Sequence, residues 1–274
     1  PDHITLWGLR LEICQHFDQY ANVRPSRLLP GIQSPLKNRG AAELDWVIVR
    51  ENTEGEYSGA GGRVHPKLPQ EVGIDVSVFT RDGIERVMRY AFELALTRPK
   101  KQLTLVTKSN AQRHGMVLWD EVFEKLKHDY PGITTDRMLV DAITTRMVLQ
   151  PQSLDTIVAT NLHADILSDL AAALSGSLGI GPTANINPER TFPSMFEPIH
   201  GSAFDLVGKD LANPLGAFWS CVMMLEHLQE KKGASLLMSA IEEVCQEGRH
   251  LPKDLGGNSC TGEVTTAVCA ALKK

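Results

Sequence analysis

Two acidic residues raise the first chemical question. Asp165 and Asp169 stand four residues apart in the stretch TNLHADILSDLAAAL, whose apolar residues recur at helical spacing and so place both acids on one helix face. Like charges at that spacing cost a free helix roughly 0.2–0.5 kcal/mol. A hard divalent cation would offset the repulsion, and Asp141, which closes the apolar run RMLVD, could add a third oxygen. The alternative is a helix face that lies in solvent.

Three arginines are candidates for binding carboxylate groups. Arg50 follows the apolar run WVIV directly, Arg24 stands in NVRP, and Arg10 lies upstream. A guanidinium group binds a carboxylate through two parallel hydrogen bonds, so a cluster of arginines would suit a dicarboxylic substrate. Ordinary structural salt bridges, for example with Glu51 or Glu54, are the alternative.

Tyr57 and Lys108 are candidate proton-transfer residues. A lysine near other cations or a metal ion can have a lowered pKa and act as a base, and a tyrosine can donate a proton to carbon. Each of these residues alone is more often structural.

The Gly-rich segment EPIHGSAFDLVGKDLANP, residues 197–214, is a candidate nucleotide-binding loop. Its glycines would let backbone N–H groups approach a phosphate, and Asp205 could bind ribose hydroxyl groups. The chain has no GxGxxG fingerprint, and an ordered surface loop with a structural His200 is the alternative.

Composition indicates a soluble globular chain. The 274 residues are 42% hydrophobic and 22% charged, and the net charge of −5 argues against a general affinity for nucleic acid or anionic membranes. The longest apolar run is too short to cross a bilayer. Five scattered cysteines without a CxxC pair favour reduced thiols and a cytoplasmic location over disulfides or a zinc site.

Alternating strands and helices would bring the candidate residues together. The runs WVIVREN, LTLVTKSN and LDTIVATN predict buried strands that end in polar residues, and a helical pattern follows each. This alternation predicts an α/β fold with helices on the faces of a sheet. Because chemistry gathers at the carboxyl ends of such strands, we expect residues 50–57, residues 108–110 and Asn161 to lie there.

Two further elements follow from local signals. The stretch RDGIERVMRYAFELAL predicts a helix with Thr80 as its N-cap. Between Tyr57 and Thr80, a segment rich in Gly and Pro with alternating Val and Ile predicts a β-hairpin arm, which either caps the sheet or pairs with another subunit.

Taken together, these segments resemble the β-decarboxylating dehydrogenases, which include isocitrate, isopropylmalate, and tartrate or D-malate dehydrogenases. The motifs fall in the family's order across essentially the whole chain; they are VRENTEGEYSG, TKSN, VDAITTRMVLQP, NLHADILSDLAAALSGSLGIGPTANINPE, FEPIHGSAFDLVGKDLANP and DLGGNSCTGEV. The stretches FDQYANVRP and NINPERTFPSMFEPIHGSAFD are most similar to the tartrate/D-malate branch.

The resemblance implies an isopropylmalate/isocitrate dehydrogenase-like two-domain α/β fold with a shared central sheet. Residues 1–19 and 177–274 would form the large cofactor domain, and residues 20–176 the small domain with the substrate and metal residues, the dimer interface and the β-arm. The family's opening strand and its GDGIG-like turn do not precede Pro1, so we expect an incomplete cofactor domain that lacks its first strands.

The resemblance also implies roles for individual residues. Tyr57 matches the catalytic tyrosine, and Lys108 matches the catalytic lysine, which crosses from the other subunit. Arg24 and Arg50 match substrate-carboxylate arginines. The remaining matches are the metal-binding acids Asp141 (supplied by the other subunit), Asp165 and Asp169, and the dinucleotide-site residues Asn110, Glu197, His200, Gly201, Ser202, Ala203, Asp205 and Asn213.

One position departs from the family's pattern. Cys14 stands where the family usually has its first substrate arginine, and Arg10 lies one helical turn earlier. Arg10 either substitutes for that arginine in substrate binding or faces the substrate's C3 substituent, where a charged group argues against a bulky alkyl group such as isopropyl.

The expected activity is the oxidation, with decarboxylation, of a small 2-hydroxy dicarboxylic acid such as D-malate or tartrate by a homodimer. Leu206, directly after Asp205, matches the family's NAD users, and the expected cation is Mg²⁺ or Mn²⁺, with K⁺ as a further candidate. An isopropylmalate- or homoisocitrate-type dehydrogenase and a non-catalytic truncated subunit are the alternatives.

Overall fold

A central β-sheet organises the molecule. The computed structural model describes residues 2–273, with side chains for residues 4–273. The strands are β1 Ala21–Arg27, β2 Asp45–Glu51, β3 Gly55–Val64, β4 Val72–Val78, β5 Gln102–Thr107, β6 Thr134–Leu139, β7 Thr156–Ala159, β8 Pro182–Ile186 and β9 Met195–Pro198. The predicted strands WVIVREN, LTLVTKSN and LDTIVATN are confirmed as β2, β5 and β7.

The central sheet of the described residues has seven strands in the order β6-β5-β7-β2-β1-β8-β9. Neighbours β6, β5, β7 and β2 run parallel, so their carboxyl ends meet at one edge. Strand β1 is antiparallel to β2 and β8, and β9 is antiparallel to β8. Strands from both sides of residue 177 therefore share one sheet, which confirms the predicted α/β fold with a shared central sheet.

Helices cover both faces of the sheet. Their bounds are α1 Asp2–Thr5, α2 Leu11–His16, α3 Arg81–Thr97, α4 Gly115–Leu126, α5 Val140–Leu149, α6 Asn161–Leu174, α7 Leu215–His227, α8 Lys231–Glu247 and α9 Thr261–Ala271, with a π-helical turn Leu6–Arg10 between α1 and α2. The predicted N-cap of α3 is confirmed, because Thr80 Oγ1 accepts the N–H of Gly83 at 3.0 Å. Within residues 2–273, every helix is too short or too polar to span a bilayer.

The sheet separates two apolar cores. Side chains alternate between faces along a strand, so Val47 and Val49 of β2 face one core while Ile48 faces the other. Helices α3 and α4 close the first core, and α5 to α9 close the second. Packing on both faces fixes the position of β2. It therefore also fixes the polar residues at the carboxyl end of this strand.

Strands β3 and β4 form the predicted β-hairpin arm as a two-stranded sheet of their own. Every residue of β4 is exposed. Its alternate residues present apolar side chains to solvent, namely Val72, Ile74, Val76 and Val78. The arm therefore carries an uncovered apolar face, and its pairing with another subunit stays a prediction.

Candidate active site

The candidate residues gather at the carboxyl edge of the parallel strands. Arg50 lies near the end of β2, Lys108 directly follows β5, and Asn161 follows β7. Thr160 is the N-cap of α6, so this helix begins at the same edge and carries Asp165 away from it. The strand-to-helix connections thus place cations and acids side by side, as the sequence predicts.

Asp165 is bound by two buried arginines. Its Oδ1 accepts hydrogen bonds from Arg50 Nη1 and, at 3.3 Å, from Arg24 Nη1. Arg24 and Arg50 are 5% and 2% exposed. Arg24 also donates to Ser168 Oγ at 2.7 Å, and Arg50 donates to Asn161 Oδ1 at 2.8 Å. The sequence left open ordinary salt bridges of these arginines with Glu51 or Glu54. In the structure, both arginines pair with Asp165 instead.

The second terminal nitrogen of each guanidinium keeps its hydrogen-bonding capacity. Within the described part of the chain, Nη2 of Arg24 and Nη2 of Arg50 donate to no protein atom. Neither nitrogen is among the fully buried atoms that lack a partner, so both can be reached from outside the protein. Each arginine can therefore still donate to a ligand from a fixed position.

Burial and the neighbouring arginines destabilise the charged forms of Arg24 and Arg50, and Asp165 stabilises them. Burial lowers the pKa of Arg24, and the nearby Arg50 lowers it further. Burial also lowers the pKa of Arg50, against the attraction of Asp165. For Asp165 itself, burial acts to raise the pKa, but Arg50 and Arg24 outweigh it and the pKa is lowered. Asp165 is thereby held as a carboxylate.

Asp169 lacks this compensation. Partial burial raises its pKa, and the charge of Asp165 one turn away raises it further, while Arg24 and Arg50 act more weakly in the opposite direction. Within one chain, the two arginines offset the charge of Asp165 and leave Asp169 under-compensated. Two adjacent carboxylates in this state fit a divalent cation, which takes one or two protein carboxylates and completes its shell with water and substrate.

Asp141 lies elsewhere in the chain and forms an ion pair with Lys108. Lys108 Nζ donates to Asp141 Oδ1 at 2.5 Å, and this contact lowers the pKa of the Asp141 carboxyl. Across residues 4–273 no group of three or more His, Cys, Asp or Glu side chains is arranged to hold a metal ion. Within these residues, Asp141 therefore does not join Asp165 and Asp169 in such a group.

Tyr57 lies beside the arginine pair. The Arg50 guanidinium carbon is 5.4 Å from the centre of the Tyr57 ring, a cation–π distance. Burial raises the pKa of Tyr57, and Asp165 raises it further, against the effect of Arg50. The phenol is thus kept protonated, as a proton donor must be.

Arg10 belongs to the same cluster of charges, whereas Cys14 is fully buried beneath it. Arg10 Nε donates to Glu197 Oε1 at 2.9 Å, and its charge lowers the pKa of Asp165 and of Arg50. Burial opposes the charge of Arg10, but Glu197 outweighs it and the pKa is raised. Arg10 therefore acts on the charges of the candidate site and stays a candidate for substrate binding, whereas Cys14 is fully buried.

Three buried asparagines form a hydrogen-bond network that was not predicted from the sequence, although Asn52 lies in the stretch 50–57 expected at this edge. Asn22 on β1, Asn52 after β2 and Asn185 on β8 are each 0% exposed, and Asn185 bonds to both of the others. Asn22 and Asn185 have one sequence signal, a polar residue inside a buried strand, in YANVRP and TANINP. Buried polar groups require partners, so such residues indicate a hydrogen-bond network but not its members.

A cavity of about 640 Å³ lies under the Gly-rich segment. The predicted residues His200, Gly201, Ala203 and Asn213 line it. The other lining residues come from the loop before β8, from residues 206–212 and from the turn before α9: Ser177, Leu178, Gly179, Leu206, Leu211, Ala212, Lys253 and Asp254. The volume is within the usual range of 300–1,000 Å³ for ligand sites, and glycines and apolar side chains dominate the lining.

The other predicted dinucleotide residues lie outside the cavity lining. Ser202 and Asp205 are exposed in the same loop, next to lining residues. Glu197 instead bonds to Arg10, and Asn110 is exposed in the turn after Lys108. The single chain therefore brings together four of the eight predicted residues, with Ser202 and Asp205 adjacent to them.

Known proteins match this chain along most of its length. The isocitrate/isopropylmalate dehydrogenase family model matches residues 5–270. A probable tartrate dehydrogenase/decarboxylase of Agrobacterium vitis is 67% identical over 272 residues, which are 99% of this chain and 76% of that protein. The decarboxylating D-malate dehydrogenase of Escherichia coli strain K12 is 49% identical over 277 residues, covering 99% of this chain and 76% of that protein.

The backbone gives the same result as the sequence. The crystal structure of isocitrate dehydrogenase from Methylococcus capsulatus matches with a TM-score of 0.90 at 37% identity, covering 97% of this chain and 77% of that one. Matched over nearly its whole length in sequence and in backbone, the chain belongs to the isocitrate/isopropylmalate dehydrogenase family of enzymes.

Proposed function

We propose that this protein is an NAD-dependent dehydrogenase that oxidises and decarboxylates a small 2-hydroxy dicarboxylate, D-malate or tartrate, with the help of Mg²⁺ or Mn²⁺. The observation that carries the proposal is the pair of buried arginines, Arg24 and Arg50, whose second terminal nitrogens have no protein acceptor in the described residues. Buried cations need anionic partners, and a small diacid supplies one carboxylate for the free terminal nitrogen of each arginine.

Two further observations support this substrate class. The relatives named as tartrate and D-malate dehydrogenases resemble this chain at 67% and 49% identity. The Arg10 guanidinium, which acts on Asp165 and Arg50, disfavours an alkyl substituent such as isopropyl, because an apolar group there would remove water from a charge. This feature favours a malate or tartrate over an isopropylmalate.

Asp165 and Asp169 would hold the divalent cation, together with Asp141 of the partner subunit. Their fit rests on the uncompensated charge at Asp169, which a 2+ ion would offset. When bound, such an ion supplies Lewis-acid chemistry that lowers the pKa of the substrate hydroxyl and polarises the neighbouring carbonyl.

NAD would occupy the cavity under the Gly-rich loop, with His200, Gly201, Ala203 and Asn213 against it and Asp205 toward the ribose. The fit rests on the open approach at Gly201, where a Cβ would meet no atom within 4 Å. When bound, NAD accepts the hydride that leaves C2 of the substrate.

The chain's own residues would then do three things. Arg24 and Arg50 hold the two carboxylates, so that the C2 hydrogen and the departing carboxylate stay in the reactive orientation. Lys108 of the partner subunit takes the proton of the 2-hydroxyl group. Tyr57, kept protonated by its raised pKa, gives a proton to the carbon that loses CO₂.

We further propose a homodimer with shared active sites. Within one chain, Lys108 and Asp141 pair with each other, and no third acidic, histidine or cysteine ligand joins Asp165 and Asp169 in residues 4–273. Two chains arranged about a two-fold axis would complete both sites at once.

The test is NADH formation with D-malate or a tartrate in the presence of Mn²⁺ or Mg²⁺. We expect activity in the wild-type chain and its loss in Asp165→Asn, and full activity in that variant would contradict the metal and substrate assignment. Comparing kcat/KM for D-malate, tartrate, isopropylmalate and homoisocitrate separates the related activities. Calorimetric titration with NAD separates the enzyme from a non-catalytic subunit, which would bind none.

A further inference from the structure

Four elements meet in a row of polar side chains across one face of the sheet. In the register of β1, Asn22 lies opposite Arg50 on β2 and opposite Asn185 on β8. Directly paired residues share a face, so these three side chains stand on the same side of the sheet. On β9, Met195 pairs with Asn185. Glu197 lies two residues further along, so its side chain is on the same face and joins the row.

Asn185 is the centre of this row. Its Oδ1 accepts three hydrogen bonds, from Asn22 Nδ2 at 2.7 Å, Asn52 Nδ2 at 3.0 Å and Arg10 Nη2 at 3.1 Å. Its Nδ2 donates to Glu197 Oε1 at 2.9 Å. Three donors converge on Oδ1, so the orientation of the amide is determined: a flipped amide would oppose donor to donor.

The network reaches two of the substrate arginines. Arg10 is held directly, between Asn185 Oδ1 and Glu197 Oε1. Arg24 is held through Asn22, because Asn22 donates to Asn185 and accepts from Arg24 Nε at 2.9 Å. One buried amide thus helps to orient both arginine side chains, Arg10 directly and Arg24 through Asn22.

We infer that Asn185 is a positioning residue for binding of the dicarboxylate, and that it acts by orienting Arg10 directly and Arg24 through Asn22. The inference rests on the proposed function, because it takes Arg24 as a group that binds a substrate carboxylate and Arg10 as a charge that faces the substrate. It adds a residue of strand β8 whose side chain is fully buried and bonded to protein groups, two of which lead to the arginines.

The neutral charge of Asn185 matters as much as its shape. Arg10 has one anionic partner in this network, Glu197, and so keeps attraction for a further carboxylate. An aspartate at position 185 could accept the same three bonds. It would add a second negative charge beside Arg10, and it would face Glu197 with an acceptor instead of a donor.

The experiment measures dicarboxylate binding by calorimetry, with D-malate and Mn²⁺ as the probe and NADH formation in parallel. Asn185→Asp should raise the Kd by about tenfold, the scale of one hydrogen bond to a charged group. The double variant Asn185→Asp/Glu197→Gln should recover most of the affinity, because the Gln amide can donate to the new carboxylate.

The matched control is Asn187→Asp, two residues further along. Asn187 is also buried, accepts from the N–H groups of Thr191 and Phe192, and donates to the carbonyl of Asp18, outside the arginine network. We expect a lower melting temperature with an unchanged Kd. Should Asn185→Asp fail to fold, Asn22→Ser is the second variant, with the same expected increase in Kd.

The outcomes separate this inference from the proposed function. Weaker binding in Asn185→Asp but not in Asn187→Asp supports the inference even if the wild-type chain forms no NADH. Unchanged binding in Asn185→Asp, equal weakening by Asn187→Asp, or no recovery in the double variant would overturn it, even in an active enzyme. A wild-type chain that binds no dicarboxylate would overturn both.

Discussion

Asp165 balances two buried guanidinium groups, and this distinguishes it from Asp169 on the next turn of the same helix. The acids have the same type and share one face, yet the pKa of Asp165 is lowered and that of Asp169 is raised. The difference comes from Arg24 and Arg50, which bond to Asp165 but not to Asp169. At the scale of single residues, Asp165 therefore stabilises the fold, while the charge of Asp169 has no such compensation within one chain.

Substituting the two aspartates should have opposite consequences for stability in the absence of divalent ions. Asp165→Asn leaves two buried arginines without their anion and should lower the free energy of unfolding by about 1–3 kcal/mol. This is less than the loss of a fully buried ion pair would cost, because 38% of the Asp165 side chain is exposed. Asp169→Asn removes a repulsion and should leave stability unchanged or slightly higher. Urea unfolding in EDTA measures both, and an equal loss in the two variants would contradict this assignment.

Glu51 should add a pH dependence to stability. Its buried carboxylate accepts the N–H groups of Thr53 and Glu54, and burial raises its pKa from 4.5 to about 7. The folded chain thus binds this proton more tightly than the unfolded chain, so the contribution is present below about pH 4.5 and is lost as the pH rises through about 7.

Glu51→Gln should therefore reduce the difference in unfolding free energy between about pH 5 and about pH 8. Exposed Glu12, changed to Gln, is the control and should leave that difference unchanged. If the wild-type chain and Glu51→Gln show the same pH dependence, Glu51 does not titrate in this range in the folded protein.

Some of these residues could be predicted from the sequence and others could not. Arg50 and Lys108 lie at or directly after the ends of strands, and Asp165 lies on a helix that begins at the same edge, so their placement follows from spacing. The network around Asn185 has no such signal, because its members Asn22 and Glu197 lie 163 positions before it and 12 after it. Only the pairing of β1 with β8 and of β8 with β9 brings them together.

At the scale of elements, the N-cap of α6 fixes the position of Asp165. Thr160 Oγ1 accepts the N–H of His163 at 3.3 Å and donates to Glu56 Oε1 at 3.0 Å, so it joins the helix start to the arm's base. Thr160→Ala should lower the free energy of unfolding by about 1–2 kcal/mol and raise KM for the dicarboxylate. Thr160→Ser keeps the hydroxyl group and should restore both; an equal defect in the two variants would contradict the capping role.

The elements with a clear apolar pattern were predictable, and strands β8 and β9 were not. Strands β2, β5 and β7 are nearly continuous apolar runs, and α3 and α6 carry both a helical pattern and a Thr N-cap. Strands β8 and β9 have five and four residues and contain Pro, Asn or Glu, so their pattern gives no clear period. The place of β8 depends on long-range pairing with β1, and β9 joins the sheet by pairing with β8.

At the scale of the whole molecule, the arm should join two chains. Its apolar face on β4 is uncovered in one chain, and a second copy of the same arm would supply a matching apolar face. Val76→Lys should therefore shift the protein from dimer to monomer in sedimentation experiments. Leu236→Lys, on an exposed position of α8, is the control and should leave the dimer intact. A dimer in both variants would place the interface elsewhere.

The proposed homodimer rests on the chemistry of the candidate site more than on any local sequence pattern. The sequence predicted an arm without deciding between capping the sheet and pairing with a subunit, because a hairpin's alternation is the same in both cases. The separation of the Lys108–Asp141 pair from Asp165 and Asp169 within one chain is what calls for a partner.

Complementation between two inactive variants tests this shared site most directly. Asp165→Asn and Lys108→Ala chains, each inactive alone, are co-expressed and assayed for NADH formation with D-malate and Mn²⁺; Asp165→Asn with Tyr57→Phe is the control pair. If Lys108 crosses between subunits, about half of randomly paired dimers are hybrids with one intact site, and about a quarter of the wild-type rate should return. No recovery beyond that of the control pair would show that each site lies within a single chain, and would contradict the account.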